Sequence, residues 1–246
     1  MARRILRMGP TLSTAKLLLM AMVWSRPKYK TLSLKLLQPF VSGDEIIVHY
    51  YRGGVKLIVK IRIAELESDF CSVRELGVDD IYRLDSVFVP ELVIDGGGNI
   101  GVFSLNAHAL YPEAKIVICE PVPNNLTQID KHLSLNGVKA EVLPFCIGGE
   151  KRKIQFYCRE ANQGSFDPSR PYKNIIAIEV ITLEELLRRR PAKTILTSLI
   201  SKEWSLKFWK VLFVVRLDQY ALWVNCTTTS RIRNALKIYS YLLDGI

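Results

Sequence analysis

The sequence predicts an α/β fold: a Rossmann-like sheet with helices on both faces, preceded by an N-terminal helix and a β-hairpin. Three observations predict it. Short apolar runs alternate with helical periods between residues 92 and 145, the signature of strand–helix–strand units and a parallel sheet. A glycine-rich turn joins the first of these runs to the first helix. Ahead of them, two β-branched runs flank Gly53-Gly54, a hairpin signal.

Composition narrows the function classes. Of 246 residues, 49% are hydrophobic and 24% charged, values of a globular protein rather than a disordered one. No apolar run reaches the length of a membrane-spanning helix. The net charge of +10 is unevenly spread: residues 1–37 carry eight Lys/Arg and no acid, and residues 191–246 carry eight Lys/Arg against three acids. The middle therefore holds a charge of −3. No nucleic-acid groove is expected in an acidic core, although a basic N-terminal arm can still meet an anionic surface. The five cysteines and three histidines show no metal-ligand spacing, so no metal site is expected and the thiols read as free in a reducing compartment.

Along the chain, residues 1–40 form a basic helical segment with an apolar run at Leu17–Trp24. Packing on the domain is the favoured reading; a helix on a membrane surface and a cleaved leader are the alternatives. Residues 41–90 hold the hairpin, EIIVHYY and VKLIVKIR, and a polar lead-in whose apolar positions Phe70, Val73, Leu76 and Ile81 fall at helical spacing. Residues 91–190 form the cofactor domain: strand 92–95, helix 101–110, strand 115–119, helix 125–135 and strand 140–145, then β-like runs at 153–157 and 175–181. Asn136-Gly137 stops the second helix. Thr182 opens a further helix, with Glu185 completing a capping box. Residues 191–246 follow as an atypical tail.

The chemistry concentrates in Asp95-Gly96-Gly97-Gly98-Asn99-Ile100-Gly101. Gly96, Gly98 and Gly101 satisfy G-x-G-x-x-G between a strand and a helix, where parallel sheets receive nucleotides. A dinucleotide would seat its pyrophosphate on the helix N-terminus. S-adenosylmethionine has no phosphate and carries an ammonium group that favours a carboxylate. Asp95, directly before the first glycine, would repel a pyrophosphate and so favours S-adenosylmethionine. Glu120 ends the next strand, where a carboxylate can accept from both ribose hydroxyls of either cofactor. The alternative for each acid is a cap on the helix that follows. Cofactor-binding candidates are thus Asp95, Gly96, Gly97, Gly98, Asn99, Gly101 and Glu120. His108 and His132 lie inside helices and read as structural, so the catalytic residue is unknown.

These residues resemble the FkbM family of S-adenosylmethionine-dependent methyltransferases. The family pattern D-x-G-A-N-x-G, then E-P, is similar to Asp95–Gly101 and Glu120-Pro121. Its L-x-x-N-G resembles Leu133–Gly137, and its V-x-T-L-D-x-L resembles Val180–Leu186. Gly98 stands where the family has Ala, a difference expected to fit the turn. The resemblance implies S-adenosyl-L-methionine as cofactor and methyl transfer to a hydroxyl of a small-molecule or glycan acceptor, in the cytoplasm or on a membrane surface through the basic N-terminus. An inactive cofactor-binding remnant is the alternative, and an NAD-dependent enzyme a weaker one.

The resemblance stops near residue 190. The family's K-x-D-x-E-G-x-E strand and later E-x-H are absent from residues 191–246. Reading the third base of each codon with the first two of the next, from Thr197-Ser198 onward, permits K-L-D-I-E-G-M-E-x-E-V-L-E-G-A. The four junctions from Trp223 to Thr227 permit G-E-L-H. Both motifs fall in one frame and in family order, so residues 191–246 read as out of frame, by a natural one-base shift or a sequence error between about Leu187 and Thr197.

Overall fold

The computed structural model describes residues 15–16, 20, 36–82, 84, 89–158, 172 and 174–198, together with strand backbone at 164–165, 199–201, 209–216 and 221–225. Most of the N-terminal basic segment and residues 226–246 lie outside the described residues. Within that segment Ala15, Lys16 and Met20 are helical, and Met20 is buried in the core.

A short strand β1 (Val41–Ser42) leads into β2 (Glu45–Arg52) and β3 (Val55–Arg62), an antiparallel hairpin. Gly53 and Gly54 turn it with φ of 54° and 81°, the left-handed pair that a two-residue turn with the right strand twist requires. Alternation makes the hairpin two-faced: Ile46, Val48, Tyr50, Leu57, Val59 and Ile61 all lie on one buried face. Each such aliphatic contributes about 1.5–3 kcal/mol by leaving water. Helix α1 (Leu66–Ser72) continues as one wide turn over Val73–Val78. Phe70 and Val73 are buried as their spacing predicts, while Ile81 is exposed.

The central sheet has the order β13-β12-β11-β4-β5-β6. Strands β4 (Leu92–Gly96), β5 (Lys115–Cys119), β6 (Glu141–Leu143) and β11 (Thr194–Ser201) run parallel, β12 (Trp209–Arg216) pairs antiparallel with β11, and β13 (Ala221–Asn225) pairs antiparallel with β12. Helix α2 (Val102–Leu110) connects β4 to β5, and α3 (Pro123–Asn136) connects β5 to β6. Gly137 ends α3 at φ 65°, and Val138 N–H closes a bond to Leu133 O at 3.0 Å, the Schellman arrangement that Asn-Gly favours. Ile116, Ile118, Val93 and Leu196 face α2, α3 and the hairpin; Leu92, Ile94, Val117 and Ile195 face the opposite way, against Leu186 of α4 (Leu183–Arg188). Helices thus cover both faces, as the sequence predicts.

Two expectations are corrected. The strand expected over 140–145 is two strands in two sheets: β6 pairs with β5, whereas β7 (Phe145–Gly148) pairs with β10 (Asn174–Thr182) in a side sheet completed by β8 (Arg152–Cys158) and β9 (Gly164–Ser165). Pro144 stands at the break, where its missing N–H cannot serve a ladder. The capping box at α4 is half made. Thr182 Oγ1 accepts from Glu185 N–H at 3.0 Å, but the Glu185 carboxylate turns outward to Lys151 Nζ at 3.0 Å.

Candidate functional site

The glycine turn lies at the carboxyl end of β4 and is fixed mainly by main-chain bonds. Gly97 and Gly98 N–H both donate to Cys119 O, at 2.8 and 3.1 Å, and Gly101 N–H donates to Gly98 O at 2.7 Å. Gly97 and Gly101 have φ of 89° and 79°, and Asn99 adopts φ 50°, a region where Asn is the least penalised residue with a side chain. Asn99 is held twice: its N–H donates to Glu120 Oε2 at 2.8 Å, and its side-chain amide donates to Ser72 Oγ of α1 at 2.8 Å.

Asp95 is buried, and its Oδ2 accepts from Ser104 Oγ at 2.7 Å. Burial pushes its carboxyl up to about 7; the Ser104 bonds oppose that shift and the Glu120 charge adds to it. Glu120 is almost fully buried and its Oε1 accepts from Val122 N–H at 2.9 Å and Asn125 Nδ2 at 3.3 Å. Each acid therefore meets the start of the following helix, and the two lie close enough to feel each other's charge.

The expected residues Asp95, Gly96, Gly97, Gly98, Asn99, Gly101 and Glu120 all come to this one edge of the sheet. The structure also recruits residues that sequence reasoning passed over. Tyr82 packs edge-on against Phe103 with ring centroids 5.6 Å apart, and its hydroxyl lies 3.5 Å from Ser198 Oγ. Ser198 is the β11 partner of Asp95 in the ladder. Arg62 donates to Asp69 at 2.7 and 2.9 Å and to Asn125 Oδ1 at 3.1 Å, placing a guanidinium on the hairpin side of Glu120. His132, which the sequence marks as structural, is buried with its Nδ1 2.7 Å from Ile100 O. Only a tertiary contact marks these residues; Asn125, five residues after Glu120, has the nearest thing to a sequence signal.

This donor set suits a cation-bearing adenosine ligand better than a pyrophosphate. Two buried carboxylates border the turn. They would attract a ligand ammonium or sulfonium and repel phosphate oxygens. Glu120 accepts from three protein N–H groups, those of Asn99, Val122 and the Asn125 side chain. Among the described residues no cluster of His, Cys, Asp and Glu is arranged to hold a metal, and no helix is long and apolar enough to cross a membrane.

No protein-family model matches the chain. It is 35% identical over 82 residues to methyltransferase sdnD of Sordaria araneosa, a stretch that is 32% of this chain and 31% of that protein. It is 31% identical over 75 residues to methyltransferase 1 of Beauveria bassiana, covering 30% of each. A stretch of 85 residues is 29% identical to the AMB antimetabolite synthetase AmbE of Pseudomonas aeruginosa, which is 34% of this chain and 4% of that one. The matches thus span under a third of the curated relatives' length. Among solved structures, a putative transferase of Pyrococcus horikoshii aligns over 82% of this chain and 85% of its own at 16% identity and a TM-score of 0.35. TYW2 of M. jannaschii, in complex with AdoMet, aligns over 76% and 90% at 12% identity and a TM-score of 0.34. Scores this low do not define a shared fold.

Proposed function

We propose that this chain carries the cofactor-binding part of an S-adenosylmethionine-dependent methyltransferase of the FkbM type, acting on a hydroxyl of a small-molecule or glycan acceptor. The observation that carries the reading is the pair of buried carboxylates, Asp95 and Glu120, bracketing a glycine turn at the ends of adjacent parallel strands. The short matches to two proteins named methyltransferases support the same class. Asp95 would face the ligand's positive end, and Glu120 would accept from ribose. When bound, the cofactor supplies a methyl group on a positively charged sulfur; the chain's part is to orient it and exclude water. Methyl transfer to a hydroxyl depends on in-line placement of the acceptor, with or without a base.

Calorimetry with S-adenosylmethionine, S-adenosylhomocysteine and NAD tests the reading. Binding of the two sulfur ligands in preference to NAD is expected. Tighter binding of NAD overturns the assignment.

A second reading is carried by residues 191–246. The acidic glycine motif that the family resemblance calls for is missing there, and the shifted codons permit it. If the shift is natural, the product is an inactive cofactor-binding remnant; if it is a sequence error, the active enzyme has a different tail. Failure of methyl transfer by a chain that still binds S-adenosylhomocysteine separates the remnant from the enzyme.

A further inference from the structure

Along α3, Gln128, His132 and Asn136 recur every four residues and so share one face. That face meets the outer edge of β3. Asn136 Oδ1 accepts from Ile58 N–H at 2.8 Å while its Nδ2 donates to Ile58 O at 2.8 Å. Gln128 Nε2 donates to Lys60 O at 2.8 Å, and His132 Nε2 accepts from Lys60 N–H at 2.9 Å. Side chains of a helix thereby occupy a strand edge that would otherwise present unpaired groups.

His132 differs from its two neighbours in the row. Because Nε2 accepts, the ring proton sits on Nδ1, which donates to Ile100 O at 2.7 Å inside the glycine turn. The imidazole is fully buried and has a nitrogen on each of two sides. It therefore joins three pieces of the chain: the hairpin, α3 and the turn.

We infer that His132 is a positioning residue, which locks the N-terminal hairpin onto the glycine turn so that hairpin docking and cofactor binding form one equilibrium. The hairpin is then part of the cofactor site. Two further bonds tie the neighbouring elements, Asn99 of the turn to Ser72 of α1 at 2.8 Å and Arg62 of β3 to Asn125 of α3 at 3.1 Å. Coupling of this kind is reciprocal: whatever loosens the hairpin weakens the ligand, and the ligand tightens the hairpin.

The inference rests on the proposed cofactor only in its affinity readout, so the test has a ligand-free arm. Two variants are compared by amide hydrogen exchange and by S-adenosylhomocysteine titration. Asn136→Ala removes an edge contact of the same kind but none to the turn. His132→Gln keeps a polar group but cannot bridge both sides. The expected result is faster exchange at Gly101 and Val102 and about tenfold weaker S-adenosylhomocysteine binding in His132→Gln alone. Asn136→Ala should lose overall stability and keep both turn exchange and affinity. Equal effects of the two variants would reduce His132 to an ordinary edge contact and overturn the inference. If the wild-type chain binds no S-adenosylhomocysteine, the cofactor reading fails, and exchange in the free protein still decides the role of His132. If His132→Gln does not fold, native-state exchange of the wild type decides instead. Lys60 and Gly101 amides should then share one opening free energy, and separate openings overturn the inference.

Discussion

Gly98 and Ile118 are fitted to each other: a Cβ built on Gly98 would lie 2.4 Å from Ile118 Cγ2. The backbone at Gly98 does not itself require glycine, since its φ is not positive. The FkbM-type pattern has Ala at this place; here Gly98 fits against β5 where a Cβ would not. Ala would fit the turn but not this β5. Gly98→Ala should cost about 1–3 kcal/mol, the usual price of overpacking. In a double-mutant cycle with Ile118→Ala, which removes the opposing methyl, the coupling should be favourable by about 1 kcal/mol or more. Urea unfolding of the four proteins measures it; additive losses would mean that the strand moves aside without strain.

Asp95 should make the free protein less stable as pH rises. Its folded-state value, about 7, lies above the ordinary 3.8, so the folded chain holds the proton more tightly than the unfolded one. That contribution is complete below about pH 4 and is lost as pH climbs through 7, on the order of 4 kcal/mol across the window. Asp95→Asn keeps an acceptor for Ser104 and removes the charge. Melting at pH 5 and pH 8 should show the variant gaining on wild type at pH 8 while losing affinity for S-adenosylhomocysteine. No relative gain at pH 8 would mean that Asp95 stays ionised without cost.

His132 acts in the opposite sense. Burial lowers its value below 6.5, with the bonds to Ile100 and Lys60 and then the charges of Asp69 and Glu45 opposing that shift. The unfolded chain therefore takes up the proton first, and stability falls as pH drops below about 6.5. Protonation would set an Nε2–H against Lys60 N–H, from which Nε2 accepts at 2.9 Å, and leave it Lys60 O at 3.1 Å. Denaturation between pH 7 and 5 should show this acid loss in Asp95→Asn more clearly than in wild type, where the Asp95 gain offsets it. A flat profile in Asp95→Asn would contradict the tautomer deduced from Lys60 and Ile100.

How far the sequence is legible follows from where each signal lives. Strand β5 falls on residues 115–119 as its apolar run predicts, because a fully buried strand announces itself locally. The glycine turn is equally local: positive φ at Gly97 and Gly101 needs residues without Cβ penalties. The bonding of Gln128, His132 and Asn136 to the edge of β3 is not legible in the sequence. A polar stripe every fourth residue of a helix reads as a solvent face, yet Gln128 and His132 are buried because a strand edge 70 residues earlier needs their bonds. The split at Pro144 is in between. The proline is visible, but the change of sheet depends on β10, whose pairing is set more than 30 residues later.

Glu120 should report on fold and ligand together. Its carboxylate accepts from Asn99 N–H, Val122 N–H and Asn125 Nδ2, so Glu120→Ala orphans donors at the turn and at the start of α3. A loss of about 1.5–3 kcal/mol in stability is expected, the range for bonds to a charged acceptor. Glu120→Gln retains one acceptor oxygen and should fold better while still binding S-adenosylhomocysteine more weakly. Calorimetry on folded Glu120→Gln separates the two roles; wild-type affinity there would leave Glu120 as a helix-start ligand alone.

The tail is tested by its own chemistry. Strand β11 pairs with β4 in register, Ser198 beside Asp95 and Leu199 beside Gly96. The shifted codons permit an Asp at the junction of Leu199 with Ile200, which would stand at the carboxyl end of β11, next to the turn. That is where a residue must stand to reach a ligand in a parallel sheet. In the frame as written, Leu199 and Ile200 occupy the place, and β12 follows as a direct antiparallel return. The expected outcome is that resequencing across codons 188–200 finds a one-base difference, or that peptides of the native protein carry K-L-D-I-E-G. A chain built with that tail should then transfer methyl groups where the present one does not. Native peptides matching Thr197–Lys210 as written would establish the present reading frame, and with it a site whose β11 end is apolar.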